Sequence, residues 1–348
     1  MKRKLSIALD AMGGDHAPAA VVDGAEIARE RYPNALFRLF GDEAVLKPLV
    51  ARYPKLQTVA VIEHTDSVVT ADDKPGQALR RGRGSSMGLA IEAVSEGRAD
   101  VAVSAGNTGA LMALAKFMLK TMPGIDRPAL ATLIPTTRGE SVMLDLGANV
   151  ECDDRNLVEF AVMGAAFART VLGVPRPTVA LLNVGVEELK GKDAVKAAGQ
   201  TLKDSPLPFE FTGFVEGDDI AAGTVDVVVT DGFTGNVALK TAEGTARMIA
   251  GLTRNAFANS LGGKLGYFFA QRGMRALRAH LDPNNHNGAV FLGLNGLVVK
   301  SHGGASALGI ASAIGVAHDL AADDLMGRIA EDLKSGGADT PSPDEVAT

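Results

Sequence analysis

The chain contains the same strand-to-helix pattern twice. Residues 99–114 (ADVAVSAGNTGALMAL) and 225–240 (VDVVVTDGFTGNVALK) each place an Asp before a short aliphatic run, followed by Gly-x-Thr-Gly and an apolar helical pattern. Short aliphatic runs closed by glycine are typical of buried parallel strands, and the residues that follow begin a helix. Such glycines let the backbone approach a ligand, and the free N–H groups favour an anion. Two such turns on one sheet predict a phosphate-sized anion at the carboxyl ends of the strands.

Four further strand ends carry residues of the same kinds. Each joins an apolar run to glycine and to Asp, Asn, Lys or His, within residues 5–15, 141–149, 178–193 and 291–304. A glycine after one strand is usually only a turn, whereas six such strand ends favour one shared crevice. Because strand and helix signals alternate along most of the chain, the pattern predicts a three-layer α/β fold around a mainly parallel sheet.

The chain divides into one large unit, an insertion and a tail. Its 348 residues are enough for a single α/β/α catalytic unit with a central crevice, which we place at 1–334. Residues 236–281 lack a strand pattern and predict an inserted helical hairpin, and 335–348 form a polar tail that we expect to be disordered. Helical patterns cover residues 18–31, 86–97, 109–120, 155–172, 191–203 and 305–333.

Composition excludes several classes of protein. The net charge of −6 argues against a nucleic-acid partner, and no apolar run of about 18 residues could span a membrane. The stretch after the basic N-terminus is interrupted at Asp10, too early for a signal peptide, so we expect a cytoplasmic protein. Cys152 is the only cysteine, and its acidic sequence neighbours should raise the pKa of its thiol, which we therefore expect to be inert.

The sequence offers no covalent nucleophile, metal site or dinucleotide fingerprint. Patterns for a P-loop, a serine nucleophile elbow and a metalloprotease are absent, and the six histidines lack metal-ligand spacing. We therefore expect neither a metal nor a cofactor. Glycine turns with lysines and carboxamides suit a reaction in which an anionic substrate is itself the nucleophile. Such an enzyme acts by positioning its reactants and stabilising an oxyanion.

A basic cluster precedes the helix predicted at 86–97. Arg80, Arg81 and Arg83 lie within four residues of each other in an otherwise acidic chain. Arginine suits bidentate contacts with phosphate and carboxylate, so the cluster predicts a dock for an acidic partner or a phosphorylated ligand. The alternative is an ordinary solvated turn.

The joint of the hairpin is rich in large apolar residues. Leu261, Leu265, Tyr267, Phe268 and Phe269 lie close together there. These side chains either fill the space between the two helices or form an apolar tip that touches a membrane surface. Hairpins inserted in this way commonly pair into a four-helix bundle, so we also expect a homodimer.

Seven segments closely resemble the bacterial phosphate acyltransferases of phospholipid synthesis. The resemblance implies transfer of an acyl group from acyl-(acyl carrier protein) to inorganic phosphate, in a fold like phosphotransacetylases and isocitrate or isopropylmalate dehydrogenases. It also implies a homodimer, peripheral membrane association and a membrane glycerol-3-phosphate acyltransferase as the next enzyme. The segments are IALDAMGGDHAP, SAGNTGAL, DLGANV, LLNVGVEELKG, GFVEGDD, VVVTDGFTGNVALKTAEG and LGLNGLVVKSHG.

The candidate site residues come from the strand ends. We predict Lys190, Asn236, Asp231 and His16 as catalytic, with Lys190 stabilising charge on phosphate or on the thioester oxyanion. His16 could donate a hydrogen bond to phosphate or to the departing sulfur. The predicted substrate-binding residues are Asp10, Gly13, Gly14, Asp15, Asn107, Thr108, Gly109, Asp145, Asn149, Lys192, Gly232, Thr234, Gly235 and His302.

Three other functions stay open. A phosphotransacetylase that uses an acyl-CoA donor shares the pantetheine arm of the carrier protein, and sequence separates the two donors poorly. An oxidoreductase of the isocitrate dehydrogenase type is favoured by fold analogy alone and needs clustered aspartates around a metal. A module that binds acyl lipid or carrier protein without turnover is the third. A purely structural role is the alternative for individual site residues, because Thr is common at helix N-termini and lysine is common on exposed helix faces.

Overall fold

The computed structural model describes residues 4–258, 261–281 and 287–335, in which eleven strands form one sheet. Each strand is three to eight residues long, and most are rich in apolar residues and largely buried because both faces of the sheet are covered. The strands are β1 (Ser6–Asp10), β2 (Leu36–Gly41), β3 (Ala60–His64), β4 (Val101–Ser104), β5 (Ala129–Thr136), β6 (Gly139–Leu144), β7 (Thr178–Leu182), β8 (Glu210–Val215), β9 (Val227–Val229), β10 (Ala289–Leu292) and β11 (Leu297–Lys300).

Helices cover both faces of this sheet, as the alternating sequence pattern predicts. They are α1 (Ala19–Arg31), α2 (Glu43–Val50), α3 (Pro54–Gln57), α4 (Pro75–Arg81), α5 (Ser86–Ser95), α6 (Thr108–Leu119), α7 (Asp154–Val171), α8 (Asp193–Asp204), α9 (Gly217–Ala222), α10 (Gly232–Ala258), α11 (Leu261–Leu281), α12 (Ala307–Ala322) and α13 (Leu325–Ser335). None of the helices in the described ranges is both long and apolar enough to cross a membrane.

The sheet consists of two parallel blocks joined by an antiparallel centre. The strand order is β3-β2-β1-β4-β11-β10-β5-β6-β9-β7-β8, and only the pairs β11/β10, β10/β5 and β5/β6 are antiparallel. Three reversals make the two blocks run in opposite directions, so β4 and β9 end at opposite edges of the sheet. The two repeated turns therefore follow strands that end at opposite edges, although the sheet is mainly parallel as predicted.

Two hydrophobic cores lie on the two faces of the sheet. Successive side chains of β1 alternate between them: Ile7 and Leu9 pack with α1, α7 and α12, whereas Ala8 packs with α5 and α6. This alternation follows from the two-residue period of a strand. The resulting three layers confirm the predicted architecture.

The predicted helical patterns correspond to helices of the structure, with one exception, whereas the short helices α2, α3, α4 and α9 were not predicted. The pattern at 305–333 is two helices, α12 and α13, because Asp324 takes a left-handed backbone conformation with φ of 51°. The Asp324 carboxylate then accepts a hydrogen bond from the N–H of Gly327 in the first turn of α13. The segment 236–281 contains most of α10 and all of α11. The predicted tail lies, beyond Ser335, outside the described residues.

Candidate active site

A cavity of about 580 Å³ lies over the antiparallel centre of the sheet. Its floor is apolar, with Leu130, Ile134 and Leu146 facing the same side of the sheet as α6 and α10. Both repeated turns reach this cavity, through Thr108 from one side and through Gly232 and Asn236 from the other. The two patterns therefore meet across a face of the sheet and not along one edge.

The first turn uses its asparagine to begin helix α6. The side chain of Asn107 accepts a hydrogen bond from the N–H of Ala110 at 3.1 Å and donates to the carbonyl of Ala71 at 2.7 Å. These bonds fix the helix start and tie it to the loop before α4. Asn107 and Gly109 do not line the cavity, whereas Thr108 does.

The first strand supports that turn from below. The buried Asp10 carboxylate accepts a hydrogen bond from the hydroxyl of Ser104 at 2.6 Å, and that hydroxyl accepts one from the N–H of Gly106. Burial raises the pKa of Asp10, although the bond from Ser104 opposes the shift. A side chain at Gly13 would place its Cβ only 2.3 Å from Asp10 Oδ2, so the loop requires glycine there. Asp10 and Gly13 thus form a rigid support beside the cavity.

The loop after β1 contacts the segment after β11. The N–H of Asp15 donates to the carbonyl of Gly303 at 2.9 Å, and Gly14 also packs against that carbonyl. Asp15 and His16 have exposed side chains and do not line the cavity, whereas His302 and Gly303 do. The structure therefore brings the predicted His302 to the cavity and leaves His16 outside it.

The second turn begins helix α10 with an aspartate. The Asp231 carboxylate accepts hydrogen bonds from the N–H of Thr234 and from Lys192 Nζ, both at 2.7 Å. Burial opposes ionisation of Asp231, but the hydrogen bonds from Lys192 and Thr234 outweigh it and hold the pKa below its ordinary value. With Asp231 occupied in this way, Asn236, the fifth residue of α10, remains to face the cavity.

The loop after β6 packs tightly against this turn. The fully buried Asp145 carboxylate accepts hydrogen bonds from the backbone N–H groups of Leu130, Gly147, Ala148 and Asn149 and from the Asn149 side chain. Burial nevertheless raises its pKa. Asn149 also donates to a backbone carbonyl, so its amide is used structurally. Asp145 and Asn149 therefore fix the conformation of the loop after β6, and Gly147 of this loop lines the cavity.

Two glycines of the second turn are required by close approach to this loop. A Cβ at Gly235 would lie 1.9 Å from the carbonyl oxygen of Asp145, and one at Gly232 would lie 2.5 Å from that of Asn149. The N–H of Gly232 donates to the same Asn149 carbonyl at 2.7 Å. These contacts give the repeated glycines a packing role as well as a place at the cavity.

Cys152 lies close to Asp145 and to the second turn. Burial, followed by the negative charges of Asp145 and Asp231, raises the pKa of its thiol to about 12. The predicted direction is confirmed, but the cause differs: burial and these two spatial neighbours act, and not the acidic residues adjacent in sequence. A thiol with this pKa is a poor nucleophile at neutral pH.

Lys190 lies in an exposed loop between β7 and α8. Its Nζ forms an ion pair with Glu187 at 2.8 Å, and it does not line the cavity. The hydrogen bond that Lys190 donates to the Glu187 carboxylate raises the pKa of Lys190, so this lysine carries a full positive charge. Lys192 is nearer, because its ion pair with Asp231 places it at the start of α10.

Sequence reasoning missed several polar residues of the cavity, among them Thr132 and Ser301. Lys300 ends β11 and is only 9 % exposed, Asn287 precedes β10, and Lys240 and Glu243 project from α10. Asn287 accepts a hydrogen bond from the N–H of His302 at 2.9 Å and donates to the Ser301 hydroxyl at 2.7 Å. Burial and Lys240 lower the pKa of His302. The signal for Lys300 was available, since a lysine directly follows a buried valine run.

The arginine cluster is exposed beside the first turn. Arg80, Arg81 and Arg83 all present to solvent, and none forms an ion pair within 4.0 Å with a carboxylate of a described residue. The Arg83 guanidinium lies 4.4 Å from the ring centre of Phe117 on α6. The cluster is thus an exposed positive surface that no carboxylate of a described residue neutralises within 4.0 Å.

The helical hairpin carries exposed apolar side chains. On α11, Phe268 is 65 % and Phe269 is 77 % exposed, and their rings contact each other. Phe257 and Tyr267 contact each other between the two helices. The side chains of Leu261 and Leu265 lie outside the described residues. Further exposed apolar residues of α10 are Phe233, Val237, Met248, Ile249 and Leu252.

Comparison with known structures agrees with this fold. A phosphotransacetylase of Streptococcus pyogenes matches with a TM-score of 0.59 at 17 % identity, covering 92 % of this chain and 95 % of that one. The EutD phosphotransacetylase of Staphylococcus aureus matches with a TM-score of 0.56 at 18 % identity, covering 91 % and 94 %. A Salmonella typhimurium protein assigned as 4-hydroxythreonine-4-phosphate dehydrogenase gives 0.52 at 14 % identity, covering 92 % and 100 %. These confirm a fold shared by phosphotransacetylases and a dehydrogenase.

Sequence relatives are far closer. Residues 5–328 match the family described as "Fatty acid synthesis protein". A phosphate acyltransferase of Rhodospirillum centenum is 59 % identical over 333 residues, covering 96 % of this chain and 94 % of the relative. One of Paramagnetospirillum magneticum is 53 % identical over 347 residues, covering 100 % and 99 %. With a nearly full-length match at this identity, the chain belongs to the phosphate acyltransferases, a family of acyltransferases in fatty acid synthesis.

Proposed function

We propose that this enzyme transfers a fatty acyl group from acyl-(acyl carrier protein) to inorganic phosphate, giving acyl phosphate for phospholipid synthesis. The observation that carries the proposal is the composition of the cavity. It joins an apolar floor, suited to an acyl chain, to two helix N-termini and to cationic side chains, which suit a phosphate dianion. Both reactants of the transfer thus have chemically matched surroundings in one cavity.

The reaction needs little machinery beyond binding. A phosphate oxygen attacks the thioester carbonyl, the new C–O bond forms, and the C–S bond breaks with its electron pair leaving on sulfur. Phosphate is already an anion near neutral pH, and a thiol with an ordinary pKa of about 8.5 is a good leaving group. Charge builds up on the carbonyl oxygen in between, so donors aimed at that oxygen supply the catalysis.

Thr108 and Asn236 are the proposed donors from the two turns. Thr108 begins α6 and combines a side-chain donor with a helix N-terminus, whereas Asn236, the fifth residue of α10, supplies a side-chain donor just after the first turn. Asp231 and Lys192 hold the second turn through their ion pair. If Thr108→Val and Asn236→Ala left the phosphate KM at its wild-type value, this assignment would be wrong.

Lys190 remains a proposed catalytic residue, although it does not line the cavity in this structure. Its exposed position and its ion pair with Glu187 require the loop between β7 and α8 to move toward the cavity when substrate binds. A Lys190→Met enzyme that folds but loses about 2–4 kcal/mol of transition-state stabilisation would support electrostatic catalysis by this lysine. Full activity of that variant would remove it from the site.

The carrier protein is proposed to dock on Arg80, Arg81 and Arg83. Their charges are uncompensated by described carboxylates, as an acidic partner requires. Reversing Arg80 and Arg83 to glutamate should raise the KM for the carrier-protein donor and leave that for acyl-CoA unchanged. An equal loss with both donors would instead indicate a defect of the site itself.

We also propose a homodimer that binds membranes reversibly through the hairpin. Support comes from the exposed apolar side chains of α10, including Met248 and Leu252, and from Phe268 and Phe269 on α11. Two hairpin tips on one dimer would multiply a weak membrane affinity, and acyl phosphate would then be released near a membrane glycerol-3-phosphate acyltransferase. Liposome co-sedimentation tests this: Phe268→Glu with Phe269→Glu should abolish pelleting and leave activity on soluble substrates intact.

The decisive experiment is a donor assay. The purified enzyme is incubated with acyl-(acyl carrier protein), with and without inorganic phosphate, while free thiol and acyl phosphate are measured. Thiol release that depends on phosphate, with acyl phosphate formed in equal amount, supports the proposal. A parallel assay with acyl-CoA distinguishes the phosphotransacetylase alternative, and binding of donor without turnover would favour a binding module.

A further inference from the structure

Lys300 is a buried lysine that opens onto the cavity. It ends β11, its residue is 9 % exposed, and it lines the cavity together with Asn287, Ser301 and His302. Its Nζ donates to the backbone carbonyls of Ser301 and, at 3.4 Å, of Ala105. Within the described part of the chain, no carboxylate lies within 4.0 Å of this ammonium group. A buried cation is normally paired, so its position against a cavity requires explanation.

The charges around Lys300 do not neutralise it. Asp10 and Asp15 attract it from the β1 side, and Lys240 on α10, which forms an ion pair with Glu243 at 2.9 Å, repels it. The Asp10 carboxylate is occupied by the Ser104 hydroxyl, and burial favours its protonated form. On the same wall, His302 senses the positive charges of Lys240 and Lys300. Because Lys240 is paired with Glu243, Lys300 is the ammonium group on this wall that has no carboxylate of a described residue within 4.0 Å.

The geometry adds donors suited to an oxyanion. Thr108 lines the cavity beside Lys300, at the N-terminus of the twelve-residue helix α6. Asn287 holds the segment after β11 through the N–H of His302, so the position of Lys300 is fixed from both sides. A tetrahedral oxyanion at this end would meet an ammonium group, a hydroxyl and a helix N-terminus together.

This inference rests on the transfer to phosphate proposed above. We propose that Lys300 binds the phosphate dianion that accepts the acyl group. The dianion is then the counter-ion of the buried ammonium group, which has no carboxylate of a described residue within 4.0 Å. The ammonium group holds a phosphate oxygen that does not react. It thereby orients another oxygen toward the thioester carbonyl over the apolar floor. Lys300, and not the exposed Lys190, then sets the affinity for phosphate.

Phosphate binding to Lys300 has a characteristic pH dependence. Burial and the charge of Lys240 lower the pKa of Lys300 to about 8 in the empty site, with Asp10 and Asp15 opposing the shift. Because only the charged form binds phosphate well, affinity should fall by about tenfold per pH unit above that value. Lys300→Arg keeps its charge throughout this range and should lose that pH dependence.

The test measures inorganic phosphate binding directly by calorimetry, alongside the phosphate KM. Lys300→Met should weaken phosphate binding by about 10- to 100-fold, which is the usual effect of losing a charge-assisted hydrogen bond. Lys300→Arg should retain part of the affinity. Lys203→Met is the matched control, because Lys203 forms an exposed ion pair with Glu188 and does not line the cavity. It should bind phosphate like the wild type.

The outcomes separate this inference from the proposed function. If the wild type makes acyl phosphate and Lys300→Met keeps its phosphate affinity, the role of Lys300 is disproved and the function stands. If the wild type binds phosphate through Lys300 but makes no acyl phosphate, the function fails and the site stands. A second titration uses pantetheine 4′-phosphate: if only its binding is lost in Lys300→Met, Lys300 holds the phosphate of the donor and the inference is wrong. Absence of phosphate binding by the wild type would also overturn it.

Discussion

Two buried charges of opposite sign lie on the two sides of the cavity, and the protein treats them differently. Asp145 after β6 is fully buried and accepts five hydrogen bonds from the loop around it. Lys300 at the end of β11 is 9 % exposed, and among the described residues its ammonium group donates to two backbone carbonyls and to no side chain. Asp145 is satisfied by its own fold, whereas Lys300 faces open space on one side.

The contrast indicates how a buried charge relates to function. A charge whose hydrogen bonds are completed by the protein holds the local structure, and its removal leaves unsatisfied donors behind. A charge that is only partly satisfied destabilises the empty protein and gains its missing interactions from a ligand. Asp145 is expected to matter for folding and Lys300 for binding.

The largest effect is expected from Asp145→Ala. This change leaves the buried N–H groups of Leu130, Ala148 and Asn149 without an acceptor, so the free energy of unfolding should fall by about 4 kcal/mol. Urea denaturation measures it, with the exposed Asp72→Ala as a control that should change stability by less than about 0.5 kcal/mol. Equal effects of the two substitutions would contradict the structural role of Asp145.

Lys300→Met should increase the free energy of unfolding in the absence of phosphate, the opposite of the effect expected for Asp145→Ala. In the folded protein the pKa of Lys300 is lowered from 10.5 to about 8, so between these values the unfolded chain binds more protons and wild-type stability rises with pH. At pH 7 the folded protein carries the full cost of the buried charge, about 3 kcal/mol. The variant should therefore be more stable than the wild type at pH 7, and its advantage should disappear by about pH 10.5. Thermal unfolding across this range checks the prediction, and a less stable variant at pH 7 would break the comparison.

Gly235→Ala tests the close contact between the second turn and the Asp145 loop. The new Cβ would lie 1.9 Å from the Asp145 carbonyl oxygen, so the helix start must shift. A loss of about 2 kcal/mol in unfolding free energy is expected, as for other overpacked sites. Gly244→Ala in the same helix is the matched control, because its Cβ meets nothing within 4 Å and should stabilise α10 slightly.

The smallest effects should separate the two repeated turns. Asn107→Ala removes the side chain that begins α6 and should reduce the unfolding free energy by about 1 kcal/mol. Asn236→Ala removes a cavity-lining amide and should instead raise the phosphate KM by about tenfold, with little change in stability. Chemical denaturation and steady-state kinetics on both variants provide the test. A phosphate KM that changes more for Asn107→Ala would reverse the assignment.

Much of the fold was predictable from the sequence, because the signals are local. Buried runs such as Val227–Val229 and the glycines after them mark strands and helix starts without reference to distant residues. Asp324 was missed because a single residue in a left-handed conformation splits an otherwise continuous apolar pattern. The direction of the second block depends on strand pairing across the sheet, which no local pattern encodes.

The candidate site was predicted less completely, for a related reason. Sequence patterns identify Thr108, Gly232 and Asn236 through their turns. They do not reveal which side chains form hydrogen bonds or ion pairs within the turn or loop and are therefore not available to a ligand. Asn107 is used in this way by α6, and Lys190 by its ion pair with Glu187. Lys300 belongs to the site only because its strand lies between the two turns in the folded sheet.

Whether the two turns face the cavity from opposite sides depends on whether the number of strand reversals at the centre of the sheet is odd or even. An odd number of reversals turns the second block around, so that its helix N-terminus and that of the first block approach the same cavity from opposite sides. Strands added at the outer edges, next to β3 or β8, would leave this parity unchanged. Gain or loss of one central strand would make the two blocks run in the same direction, so that both turns would lie at one edge of the sheet and would no longer approach the cavity from opposite sides. Strands at the outer edges can therefore be added or lost without moving the turns, whereas the number of central strands decides where the turns lie.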